Sequence, residues 1–176
     1  MRSAGGVWIV GAFALLAACV PQPSSPPPPA PSPAPVLPPP AVPQPRATDW
    51  RDLPLSGGVW GYRSDASASE AAFGPAGHAS FALRCDRARR EIVLARDGIT
   101  SGNTMTIRTS SGTRNFPLSV RTEPTPIVTA TLGASDRFLD SIAFSRGRFA
   151  VEVPGTAMLV IPAWPEPSRV IEDCRG

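Results

Sequence analysis

Lysine is absent from this chain of 176 residues, and all 17 of its basic side chains are arginine. That bias reads as the mark of a GC-rich genome, not as a selection for guanidinium chemistry. There is one histidine, His78, so any Ser-His-Asp or Cys-His arrangement has to pass through it. The GxSxG elbow, the HExxH helix, the P-loop and the GxGxxG turn are all missing. A zinc site needs more ligands than one histidine and two cysteines that are expected to be oxidised. No catalytic residue, cofactor or metal is therefore assigned, and His78, between Gly77 and Ala79 at a strand entrance, reads as an ordinary surface histidine. Charge of one sign is lacking too. Leaving out Arg2, 16 arginines face 14 acidic residues, too even a balance to attract nucleic acid. The apolar run from about Val7 to Leu16 is too short and wrongly flanked for a spanning helix.

What that run does have is the layout of a secretory signal. Arg2 precedes it, and Leu16-Ala17-Ala18-Cys19 follows with small residues leading into a cysteine. The tetrapeptide resembles the lipobox of bacterial lipoproteins, in which the cysteine is diacylated, the bond before it is cut and the new amino terminus is acylated. The resemblance covers residues 1–19 and implies a leader over 1–18 and lipidation at Cys19. Stable anchoring takes about two acyl chains at ~0.8 kcal/mol per buried CH₂, so a triacylated Cys19 is expected to hold the protein on its membrane without a transmembrane helix. Val20 stands where an aspartate marks inner-membrane retention in well-studied lipoproteins, which favours the outer membrane, facing the periplasm. Residues 21–45 then hold 14 of the 23 prolines and no charge. Proline lacks an N–H and fixes φ, so residues 19–47 are expected to be a disordered tether of polyproline II character, its 25-residue proline-rich part reaching roughly 75 Å at ~3.1 Å per residue. Its PxxP-type spacings also match ligands of proline-recognising domains, but any such tract contains them.

Residues 48–176 have the length of one domain with a real core. With Cys19 lipidated, Cys85 and Cys174 form an even pair in an oxidising compartment, and a disulfide between them is expected. Two free thiols or a redox pair are the alternatives, the latter without the usual CxxC spacing. β-Pattern fills most of the domain. Strands are expected over 59–62, 78–85, 91–95, 104–108, 115–120, 126–132, 148–153 and 158–161. Phe81, Leu83 and Cys85 share a face with Ala79, Met105 pairs with Ile107, and Phe116 and Leu118 pair with Val120. Ser135 begins a short helix bearing Phe138, Leu139 and Ile142, and a second runs over 167–173. The fold class is mainly β: a single β-sandwich or small β-barrel with one or two short helices.

Within such a domain, Asp136 and Asp140, at i and i+4, fit either paired carboxylates or solvated acids near a helix start, and the second is the simpler reading. Arg146, Arg148 and Arg169 with Trp164 make a possible interaction surface, with arginine forks for carboxylates and a stacking platform for sugars. The plainer expectation is that Arg148 or Arg169 is satisfied by Glu152, Glu166, Glu172 or Asp173. The opening Gly57-Gly58-Val59-Trp60, after a lipidated proline-rich leader, is similar to small β-barrels related to bacterial metalloprotease inhibitors, although their cysteine pair lies within a shorter domain. The style of the domain is similar to small exported domains of GC-rich Gram-negative bacteria, which implies no activity. The expectation is a membrane-anchored envelope lipoprotein with a non-catalytic interaction domain. Its partners are the membrane, through its lipid, and an envelope protein or the cell wall. The alternatives are an inhibitor-like binding barrel and a cell-envelope enzyme.

Overall fold

The computed structural model describes residues 49–176, and the expectations for the leader, for Cys19 and for the tether through residue 47 lie outside them. The described chain runs β1 (Val59–Ser64), β2 (Ala68–Gly74), β3 (Phe81–Asp86), β4 (Glu91–Asp97), β5 (Thr104–Thr109), β6 (Gly112–Pro117), β7 (Ser119–Arg121), β8 (Ile127–Gly133), α1 (Phe138–Ala143), β9 (Arg148–Glu152), β10 (Leu159–Pro162) and α2 (Pro165–Arg175). The strands form two antiparallel sheets, one ordered β1-β2-β3-β4-β8-β7 and the other β10-β9-β5-β6. This is a sandwich, and the closed barrel left open by the strand pattern is not formed.

Period-2 alternation builds the core. Phe81, Leu83 and Cys85 of β3, Ile92 and Leu94 of β4, and Val128, Ala130 and Leu132 of β8 point inward from the larger sheet. Met105 and Ile107, Phe116, Phe149 and Val151, and Leu159 and Ile161 meet them from the smaller one. Trp60 joins the two sheets, packing on Phe73 and Phe149 while its indole N–H donates to the Pro162 carbonyl at 2.8 Å. Each fully buried side chain of this size contributes about 1.5–3 kcal/mol.

Two helices close the ends. α1 begins at Phe138, two residues later than an N-cap at Ser135 would place it, and the Asp136 carboxylate accepts the Phe138 N–H at 2.9 Å. α2 is longer than expected, starting with proline at its first turn and burying Val170, Ile171 and Cys174. The Cys85–Cys174 disulfide is present, joining α2 to β3 across 89 residues.

Three other expectations are corrected. β2 was not read as a strand, because alanine, serine and glycine carry little β signal; it lies second in the larger sheet, between β1 and β3, with Ala71 and Phe73 fully buried. The strand expected from residue 78 starts at Phe81, leaving Ala79 exposed. The stretch 115–120 is broken at Leu118, whose N–H donates to the Asn103 carbonyl, so the chain changes sheets there and Val120 ends exposed on β7.

The outer faces of the sheets are treated differently. On the smaller sheet, residues 49–56 strap across β9 and β10, with Trp50 packed on Ala150 and Val160 and supported by Leu53 and Met158. Ser56 pairs with Val160 along the β10 edge, its N–H donating to the carbonyl at 2.8 Å and its hydroxyl accepting the Val160 N–H at 3.0 Å. Removing the strap's apolar anchor by Trp50→Ala should cost about 2–3 kcal/mol, the value of one buried side chain. The expected readout is a lower thermal midpoint with faster hydrogen exchange confined to the strap and β10.

Candidate functional site

Antiparallel register sets the other outer face. Gly61 of β1 stands opposite Ala72, Ala72 opposite Ala82, Ala82 opposite Ala95, and Ala95 opposite Thr129. One pleat away, Arg63 stands opposite Glu70 and Glu70 opposite Arg84, so Glu70 is held by Arg63 at 2.7 Å and by Arg84 at 3.6 Å. One pleat to the other side, Asp97 stands opposite Ile127 and Ile127 opposite Arg121. An exposed sheet face normally carries long polar side chains. Here the middle positions are short, so the face is hollowed into a groove of about 500 Å³ with Ala79, Ala82, Val93, Ala95 and Ile127 in its lining and Arg63, Arg84 and Arg121 on its rim. No described segment covers it in the way residues 49–56 cover the smaller sheet.

Charge around the groove is unevenly met. Glu70 serves two arginines. Asp97 is matched by His78 and by the buried Arg96, whose guanidinium donates to the Asp97 carbonyl at 2.7 Å and to the Ser80 carbonyl at 3.3 Å. Arg121 makes no ion pair among the described residues. The rim thus carries more guanidinium than carboxylate, a disposition that suits anions.

His78 sits at the end of this face, in the loop between β2 and β3. Its Nε2–H donates to Asp97 Oδ2 at 2.6 Å. The loop can fold back this tightly because Gly74 has no side chain: a Cβ there would run into the His78 carbonyl. His78 therefore has a carboxylate partner that sequence reasoning missed, since the two residues are 19 positions apart and no motif links them. The pair has the base-and-orienter half of a catalytic triad. Among the described residues, no hydroxyl or thiol hydrogen-bonds to the ring.

The residues singled out from sequence are not gathered into one site. Arg148 is committed to backbone, donating to the Leu53 carbonyl at 2.8 Å and the Arg51 carbonyl at 3.1 Å, which fastens the strap. Arg169 lies over the Tyr62 ring, 4.4 Å from its centroid. Arg146 and Trp164 lie on one corner, where the Ala163 N–H donates to the Gly147 carbonyl, and both are exposed. Two of the expected acidic partners are engaged by other groups. Glu152 pairs with Arg108 at 2.9 Å. Asp173 accepts the Tyr62 hydroxyl at 2.5 Å, and that bond, with Arg87 and Arg169 nearby, holds its carboxyl below the usual range against the opposing effect of burial. Asp136 and Asp140 do not form a carboxylate pair either. Asp136 lies before α1 and grips Arg114 at 2.7 and 2.8 Å, while Asp140 pairs with Arg175 at 2.6 Å.

Searches against protein families, curated proteins and solved structures match nothing to this chain, so the face is interpreted from its own chemistry.

Proposed function

We propose that the chain is a lipid-anchored protein of the cell envelope, held by Cys19 on the outer membrane, whose disulfide-closed sandwich is a non-catalytic binding module. The outer face of the six-stranded sheet is its ligand-facing surface. The observation that carries this reading is the contrast between the two outer faces. Apolar surface on the smaller sheet is sealed by Trp50, while the larger sheet keeps an open, apolar-floored groove rimmed by Arg63, Arg84 and Arg121. Concave apolar surface with a few convergent polar groups is the usual form of a ligand site.

The test is native mass spectrometry of the full-length protein extracted from its own envelopes, beside Ala95→Trp, which fills the groove from a solvent-facing position. A bound mass on the wild type that is lost from the folded variant is expected. The same bound mass on both proteins, or none on either, overturns the assignment of the face.

The His78–Asp97 contact favours a second reading, an envelope enzyme using His78 as a base oriented by Asp97. The two readings part at His78→Ala. For a binding module the change leaves the co-purifying ligand in place and costs at most about 1 kcal/mol, as for other exposed ion pairs. A folded His78→Ala protein that accumulates an uncleaved form of its ligand makes the enzyme the correct description.

A further inference from the structure

We propose that the groove binds a single-chain anionic amphiphile, a long-chain carboxylate whose acyl chain lies across the strands and whose carboxylate is held by Arg121. This rests on the outer face being the ligand-facing surface. Shape comes first. Six strands give five steps of ~4.8 Å, so the face is about 24 Å wide, room for one extended chain. The groove is narrow, since the rows bearing Arg84 and Val93 on one side and Ile127 on the other stand two residues, roughly 7 Å, either side of the row bearing Ala82 and Ala95.

Hydrogen bonding decides against the other linear molecules. The backbone N–H and C=O groups of β2, β3, β4 and β8 are spent on their neighbours in the sheet. A peptide lying on this face would bury its own amides without partners, and peptides that add to sheets do so along an edge. A glycan would bring hydroxyls to a floor of Ala82, Ala95, Val93 and Ile127, with no exposed aromatic ring in the lining. An acyl chain asks for no hydrogen bond at all. Charge decides the headgroup and argues against a second copy of this chain. The rim has surplus guanidinium, so two such faces would bring arginine against arginine. Arg121 takes the carboxylate because Arg63 and Arg84 already share Glu70.

The experiment uses the full-length protein in vesicles of zwitterionic phosphatidylcholine and a photoactivatable diazirine analogue of hexadecanoic acid, with crosslinks mapped by peptide mass spectrometry. Labelling is expected on β3, β4 and β8, competed by hexadecanoate and far less by hexadecanol. Ala95→Trp should remove it, and Arg121→Glu, an exposed change that leaves the core untouched, should lower it about tenfold, the factor for one lost charge-assisted contact. Labelling that ignores both variants, or is competed equally by the alcohol, overturns the proposal. So does a wild-type dimer that Ala95→Trp dissociates, which assigns the face to a second copy. If no acyl label appears while native spectra still show a mass lost from Ala95→Trp, only the ligand class fails and the binding face stands.

Discussion

Cys85→Ser, Cys174→Ser and the double variant should each cost the sandwich about 2–5 kcal/mol, and the double should cost no more than either single. The two cysteines are 89 residues apart, so the bridge removes a large loop from the unfolded ensemble, worth ~4.6 kcal/mol when only chain entropy is counted. Burial raises the stakes. Cys85 is fully buried and Cys174 nearly so, packed with Val170 and Ile171 in the main core, and a serine hydroxyl in either place must find a partner there. The damage should begin in α2. Eleven residues are too few for a helix to persist alone in water, and this one is held by its apolar face and by the bond to β3. Urea unfolding of the oxidised proteins gives the energies, and hydrogen exchange should show α2 opening first in Cys174→Ser. Costs that add in the double variant, or free thiols at both positions in protein isolated without reductant, would show that the two cysteines do not act as one bond.

The parts of the fold that were legible in sequence are those with local causes. β3 and β4 alternate cleanly around a short polar turn, and both strands and their pairing follow from residues within about twenty positions of each other. The disulfide has no local cause; it was expected only on the reading that Cys19 is taken by lipid, which leaves Cys85 and Cys174 as a pair. β2 was not legible, because Ala68-Ser69-Glu70-Ala71-Ala72-Phe73-Gly74 has the composition of a loop, and only pairing on both sides makes it a strand. The break at Leu118 was hidden for the same reason: Phe116, Leu118 and Val120 alternate perfectly, yet a hydrogen bond to Asn103 sends the chain to the other sheet.

The groove was further out of reach. It depends on Ala82, Ala95 and Thr129 coming level across β3, β4 and β8, and one register slip anywhere between residues 82 and 129 would turn one of them inward. Their smallness carries no signal in one dimension, where alanine reads as neither core nor surface. Arg148 shows the converse. It stood out in sequence beside Gly147 and Arg146, but its partners are the carbonyls of Arg51 and Leu53, and nothing about a backbone acceptor is written in the side chain that carries it.

Cys19→Ser should release the protein from the membrane altogether. Every argument for the anchor comes from Leu16-Ala17-Ala18-Cys19 and the apolar run before it, so a change of one atom at position 19 removes the acylation site while leaving the leader's hydrophobicity intact. Among the described residues no helix is long and apolar enough to cross a bilayer, and the proposed hold on the membrane is the lipid. At ~0.8 kcal/mol per buried CH₂, losing two or more chains takes away many times the energy of any other substitution considered for this protein, and partitioning should change from nearly all bound to nearly all free. Metabolic labelling with an alkyne fatty acid and detergent phase separation read the two halves of the claim independently. Label on the wild type and none on the serine variant, with the variant in the aqueous phase, is the expected pair of results. A variant that loses the label yet stays with the membrane would move the anchor to the leader or to the sandwich, and one that keeps the label would place the acyl chains on a residue other than Cys19.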